Sequence, residues 1–176
     1  MKYSSKELVR IAICSALTGI LAWIKVPLPF TPVPISAQTF GVMISGLVLP
    51  PPLAALSQLI YILLGLLGLP VFSGGQSGLG TLAGPTGGYI IGFIPAAFVI
   101  SFLIKKYNPK TFWSHSLILT LGSIVIIYFT GVLQLILVTG ISPMQALISG
   151  VFPFLIGDFL KVIIGARLAK RISNFN

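Results

Sequence analysis

The stretch PFLIGDFLKVIIGARLAKRI, Pro153 to Ile172, decides the fold. It opens on a proline. Proline is favoured in the first turn of a helix, where its missing N–H costs nothing, and disfavoured later. Asp158 and Lys161 are the only charges until the basic end formed by Arg167, Lys170 and Arg171. At a rise of 1.5 Å per residue, about twenty residues reach about 30 Å, the thickness of a bilayer's hydrocarbon core. The reading is a membrane-spanning helix that starts at Pro153 and carries an acid and a base one turn apart, on one face.

Outward from this helix, the chain divides into further apolar runs separated by prolines, glycines and lysines. A short surface helix is expected around Met144 to Ser149, and a fifth span over about Leu117 to Val138. Lys105, Lys106, Asn108, Pro109 and Lys110 form a polar break after a fourth span, Tyr89 to Ile104. A Gly-rich loop covers Leu69 to Gly88, and a third span runs from Leu53 to Gly68. Pro50, Pro51 and Pro52 close a short second span, Ser36 to Leu49. A Pro-rich loop, Lys25 to Ile35, is stiff because proline fixes φ and donates no backbone hydrogen bond. The first span is Leu8 to Ile24; it starts like a signal peptide, but no small-residue cleavage site follows, so it reads as a retained helix. The expectation is an all-α membrane protein with six transmembrane helices, ordered Pro-rich and Gly-rich outer loops, and one membrane-embedded domain over residues 1–176. The second span is short enough that spans two and three could instead form a re-entrant hairpin.

Composition agrees. Of 176 residues, 56% are hydrophobic and 7% charged, against about 25% charged in a soluble domain. The net charge of +9 does not point to nucleic acid, because the cations lie between and beyond the apolar runs, as topology signals do. Lys2, Lys6, Arg10, Lys105, Lys106, Lys110, Arg167, Lys170 and Arg171 all fall on one side of a six-span arrangement. That side is then cytoplasmic, with both termini on it. The single cysteine, Cys14, excludes an intrachain disulfide and reads as a packing residue. Trp23 and Trp113 fall near opposite interfaces, and His115 reads as interfacial.

A charge in mid-membrane costs about 2.5–3.5 kcal/mol on insertion scales. Asp158 and Lys161 therefore form either a self-neutralising packing pair or a polar ligand site facing the bundle interior. Gln38, Thr86, Tyr89 and Gln134 are expected at the same depth. The glycine loop, with its backbone N–H groups ahead of a helix start, suits an anionic group, and its apolar character suggests a lid. It is not a nucleotide loop, since no Gly-Lys-Ser/Thr follows. An intramembrane protease or a metal site lacks its residues: His115 is alone, and Glu7 is the only acid besides Asp158. A substrate-binding membrane subunit is the reading these residues allow; a self-sufficient transporter would lack the inverted repeat of that class, and with no ATP site, uptake against a gradient needs either a partner or an ion gradient.

Four motifs then carry a resemblance: Pro32-Val33-Pro34-Ile35-Ser36-Ala37-Gln38-Thr39-Phe40, Gly68-Leu69-Pro70-Val71-Phe72-Ser73-Gly74-Gly75, Gly84-Pro85-Thr86-Gly87-Gly88-Tyr89-Ile90-Ile91-Gly92-Phe93, and Gly157-Asp158-Phe159-Leu160-Lys161. In this order they resemble the BioY family, the biotin-binding S components of energy-coupling factor (ECF) vitamin transporters. The resemblance covers nearly the whole chain. It implies the ECF S-component fold, biotin bound near the outer face as transported substrate with no cofactor, and coupling to a transmembrane T subunit and two ATPases. It implies a substrate site of Gln38, Thr86, Gly87, Tyr89, Asp158 and Lys161, with Asp158 and Lys161 at the ureido end. Gln76 occupies a glycine-loop position that varies in the family. Ala12 and Ala16 are similar to the AxxxA motif that meets the T subunit. They belong to a small-residue stripe with Ser15, Gly19 and Ala22. The family mechanism also implies that the subunit topples in the membrane to release biotin inside.

Overall fold

Capping chemistry, proline and glycine set the helix boundaries. A computed structural model describes residues 3–173; Lys2, counted among the basic topology signals, lies outside the described residues. Helix α1, Ser5–Leu21, starts on a reciprocal cap between Ser4 and Glu7, which satisfies two donors that a helix start leaves open. The chain then turns through a two-stranded antiparallel hairpin, β1 (Lys25–Val26) with β2 (Ile35–Ser36). The prolines between the strands had suggested only a stiff loop.

Helix α2, Gln38–Val48, and helix α3, Pro51–Leu66, meet across Leu49 and Pro50, with proline again in the first turn of α3. A five-residue helix α4, Leu79–Ala83, interrupts the Gly-rich loop. Helix α5, Gly87–Tyr107, ends on Asn108 in the left-handed conformation, with Lys105 and Lys106 in its last turn, where cations meet the negative end of the helix dipole. Helix α6, Phe112–Leu119, continues through a π-helical turn, Thr120–Val125, into α7, Ile126–Thr139. This continuous 28-residue span starts five residues before the expected Leu117, because Thr111 and Ser114 form a reciprocal cap there. Helix α8, Pro143–Gly150, is the expected surface helix, and α9, Phe152–Ser173, starts one residue before Pro153.

Gly87–Tyr107 and Phe112–Thr139 are long and apolar enough to cross a bilayer, and α8 with α9 passes the same test as a pair bent by 45°. Helices α2 and α3 are shorter apolar helices. Helix α5 is the centre of the bundle, packing on α7, α3, α2 and the π turn, while α9 closes the bundle against α6 and α2. Ile90, Phe93, Ala97 and Ile100 of α5 join Tyr61, Met43, Leu119 and Ile127 in one core. The β hairpin, the Gly-rich loop, α4 and α8 gather at the end opposite the two chain ends, and this site end carries the cavity.

Two smaller expectations change. His115 is only 2% exposed, with Nδ1 2.8 Å from the Thr111 carbonyl, because α6 packs against α9. The small-residue stripe of α1 divides: Ser15, Gly19 and Ala22 are buried, whereas Ala12 and Ala16 are exposed. Three- and four-residue steps drift around a helix of 3.6 residues per turn, so one list of small residues serves two faces.

Candidate functional site

The cavity is built from six parts of the chain. Ile35 and Ser36 of the hairpin, Gln38 and Thr39 of α2, Ser73, Gln76 and Thr86 of the Gly-rich segment, Tyr89 and Phe93 of α5, Tyr128 of α7, and Asp158 and Lys161 of α9 all line it. Its volume is about 600 Å³, including space open to solvent. Ile90, Ile127 and Phe154 supply apolar wall.

Asp158 and Lys161 stand at its polar side, with Nζ 2.7 Å from Asp158 Oδ1. The pair is not isolated. Lys161 also donates to the Ser36 carbonyl at 2.5 Å and to Thr39 Oγ1 at 2.9 Å. Thr39 in turn donates to Asp158 Oδ1 at 3.0 Å, and Tyr128 donates its hydroxyl to Asp158 Oδ2. Lys161 thus spends all three N–H donors on the protein, while the carboxylate, which offers about four acceptor positions, accepts three. Asp158 is 4% exposed; a buried carboxylate needs this degree of satisfaction to stay charged in a low-dielectric wall.

The network extends through Ser36, whose hydroxyl donates to Gln38 Oε1 at 3.0 Å. Gln38 Nε2 donates to the Tyr61 hydroxyl, and the Tyr61 ring packs on Phe93 and Phe72. The members come from five elements, so the hairpin, α2, α3, α7 and α9 are tied together around one cavity.

The sequence-predicted residues separate into three kinds. Gln38, Thr86, Tyr89, Asp158 and Lys161 all line the cavity. The Tyr89 hydroxyl, however, donates to the Gly150 carbonyl at 2.9 Å, so the residue presents mainly its ring, set edge-on to Tyr128. Gly87 is not among the lining residues. It is the first residue of α5, and a Cβ there would collide with the Leu82 carbonyl and Gln134, as one on Gly88 would with the Thr130 carbonyl. These glycines bring α5 against α4 and α7. Gln134 holds the same junction, donating to the carbonyls of Leu82 at 2.6 Å and Gly84 at 2.8 Å.

Thr39, Tyr128 and Ser73 were missed. Thr39 stands inside a quoted motif, one residue beyond Gln38. Tyr128 carried a usable signal, since a hydroxyl in the middle of an apolar span needs a partner. Ser73 Oγ is buried with no partner among the described residues, and the residue lines the cavity.

A bundle of apolar helices with a part-open cavity at one end, polar on one side and apolar elsewhere, defines a membrane-type small-molecule binding protein. The BioY family model matches residues 1–175, and the chain belongs to the BioY family. It is 39% identical over 168 residues to the biotin transporter BioY of Thermotoga maritima, covering 95% of each chain. It is 38% identical over 168 residues to the probable biotin transporter BioY of Pyrococcus horikoshii, covering 96% of each. The fold superposes on the crystal structure of the S-component for biotin from an ECF-type ABC transporter with a TM-score of 0.90 and 30% identity, over 98% of this chain and 95% of that one.

Proposed function

We propose that this chain is the biotin-binding subunit of an ECF-type vitamin uptake transporter, acting as a single membrane-embedded domain rather than as an enzyme. The observation that carries this is the Asp158 carboxylate, fixed by Lys161, Thr39 and Tyr128, with one acceptor position left at a cavity that is otherwise largely apolar. Biotin combines a ureido ring, which presents N–H donors, with an apolar bicycle and an aliphatic chain ending in a carboxylate. A ureido N–H fills the remaining position on Asp158. Ile90, Phe93, Ile127 and Phe154 face the ring carbons and the chain. Lys161 reaches the ligand only by releasing Ser36, Thr39 or Asp158, so its first role is to hold Asp158 charged and oriented.

In this reading α1, α2, α3, α5, the continuous α6–α7 and α9 are six spans. Helix α2, with 11 residues, is shorter than a bilayer core requires. It is surrounded by α1, α3, α5 and α9, and protein neighbours remove the need to cross lipid alone. Lys6, Arg10, Lys105, Lys106, Lys110, Arg167, Lys170 and Arg171 fall at the end bearing both termini, which is the cytoplasmic end by the positive-inside rule. The cavity then opens outward. The exposed Ala12 and Ala16 offer a close-approach surface to a transmembrane T subunit, whose two ATPases supply the energy.

Calorimetry on the detergent-solubilised chain tests the ligand. Biotin binds tightly, desthiobiotin (which keeps the ureido ring) binds measurably, and thiamine does not bind. Equal affinity for thiamine and biotin, or biotin binding unchanged in both Asp158→Asn and Lys161→Met, overturns the reading.

A further inference from the structure

Toward its C-terminal end, helix α9 has two different faces. Val162, Gly165, Ala166 and Ala169 are buried on the side that meets α6 and α2. Ile164, Arg167, Leu168, Lys170 and Arg171 are exposed, and these five line a groove on the outside of the bundle. Ile164, Arg167, Leu168 and Arg171 follow steps of three and four residues, so apolar and basic side chains share one stripe.

Two general roles of basic residues account for only part of this cluster. Lys170 and Arg171 stand in the last turn of α9, where cations meet the negative end of the helix dipole. Arg167 lies a turn earlier, beyond the reach of that effect. Positive charge at this end also sets topology, but Lys105 and Lys106 in the last turn of α5 already contribute to it. Lys106 further lies over the rings of Phe102 and Tyr107. The α9 cations have no acid to neutralise them: Asp158 pairs with Lys161 toward the other end of the helix, and among the described residues no carboxylate pairs with Arg167, Lys170 or Arg171. Glu7 is engaged in the cap of α1.

Depth identifies the missing counter-charge. Arg167 and Arg171 follow the start of α9 at Phe152 by about 22 and 28 Å, at 1.5 Å per residue. A hydrocarbon core is about 30 Å thick, so both guanidinium groups reach the phosphate layer at its boundary, with their stems along apolar surface. Ile164 and Leu168 stay at the level of the acyl chains. A guanidinium fork matches the oxygens of a phosphate. A zwitterionic headgroup brings its own cation back into the groove, whereas an anionic one does not.

We propose that Arg167, Lys170 and Arg171 form a binding site for the headgroup of an anionic phospholipid, with Ile164 and Leu168 against its acyl chain. The site is at the end of the molecule remote from the ligand cavity, so it stands or falls independently of the biotin reading. It gives the subunit a fixed lipid neighbour on α9, opposite the face that α9 presents to the bundle.

Native mass spectrometry of the intact chain, released from detergent with phosphatidylglycerol or phosphatidylcholine of the same acyl chains, tests the site. The wild type retains phosphatidylglycerol in preference to phosphatidylcholine, and added salt narrows the preference. Arg167→Gln lowers it about fivefold, as for one cation at a membrane surface, and the triple variant Arg167→Gln with Lys170→Gln and Arg171→Gln removes it. The control triple Lys105→Gln with Lys106→Gln and Lys110→Gln keeps it. Thermal unfolding in lipid-free detergent confirms that each variant is folded, and Arg167→Gln alone decides the matter if the triple is not. Equal retention of the two lipids by the wild type overturns the proposal. So does an equal loss in the control triple, which assigns the preference to diffuse charge. Displacement of phosphatidylglycerol by inorganic phosphate at equal concentration assigns the groove to a free anion and overturns the lipid assignment. An α9 triple that keeps the lipid preference but loses association with a transmembrane partner makes this face a protein interface and overturns it as well.

Discussion

The ion pair on α9 permits a decisive perturbation. Lys161→Met removes the cation but keeps a side chain of similar length. Asp158 would then retain only the hydroxyls of Thr39 and Tyr128, and the Ser36 carbonyl would lose its donor. Breaking a buried pair from one side typically costs about 3–5 kcal/mol, because an uncompensated charge stays buried. Asp158→Asn leaves the ammonium in the same position, although its 16% side-chain exposure lets it reach solvent more readily. The double variant Asp158→Asn with Lys161→Met removes both charges. It should therefore be more stable than Lys161→Met, by about 2 kcal/mol or more, even though it carries one more substitution. Biotin binding should not recover with it. A lost charge-assisted contact of about 1.5–3 kcal/mol corresponds to roughly ten- to over a hundredfold in affinity. Thermal unfolding in detergent reads the stability, and calorimetry on the same samples reads the affinity. If the double variant unfolds at the sum of the two single costs, the two groups are not coupled and the network reading fails. If it binds biotin like the wild type, Asp158 is not the ligand's partner.

Other outcomes follow from the same contacts. Gly87→Val should drive α5 away from the Leu82 carbonyl, costing about 1–3 kcal/mol in thermal unfolding; an unchanged melting temperature would show that the junction is loose. Tyr89→Phe removes only the bond to Gly150. It should cost about 1 kcal/mol of stability with biotin affinity within a few fold, and a hundredfold loss would mean that the hydroxyl meets the ligand. Gln134→Ala releases the carbonyls of Leu82 and Gly84, so amide exchange should rise across residues 79–86; unchanged protection would refute the clamp. Ala12→Trp with Ala16→Trp should abolish cellular uptake and leave biotin binding intact, since both positions are exposed. Normal uptake would remove α1 as the partner surface.

Much of the site was legible because the bilayer makes charge informative. In a chain with only two acids, Asp158 in an apolar run demanded a partner, and Lys161 at the next turn was the available one. The motif around Gln38 pointed to α2, but not to Thr39, because adjacent residues on a helix point about 100° apart and no pattern said which faced the cavity. Gly87 was legible as a glycine needed for close approach. A Cβ there would meet the Leu82 carbonyl and Gln134, and glycine's permissiveness does not record which neighbour uses it.

By itself, the sequence determined that the chain belongs to a membrane, where its helices begin and end to within a few residues, and that one acid and one base share a face of the last helix. Those features depend on local quantities: apolar run length, proline and cap positions, and i, i+3 spacing. Tertiary structure decided the rest. It brought Tyr128 onto Asp158 through a span with a π turn, and it buried one part of the α1 small-residue stripe while leaving Ala12 and Ala16 exposed. Each of these joins residues far apart in the chain, and only the packing of the elements fixes which of the possible partners meet.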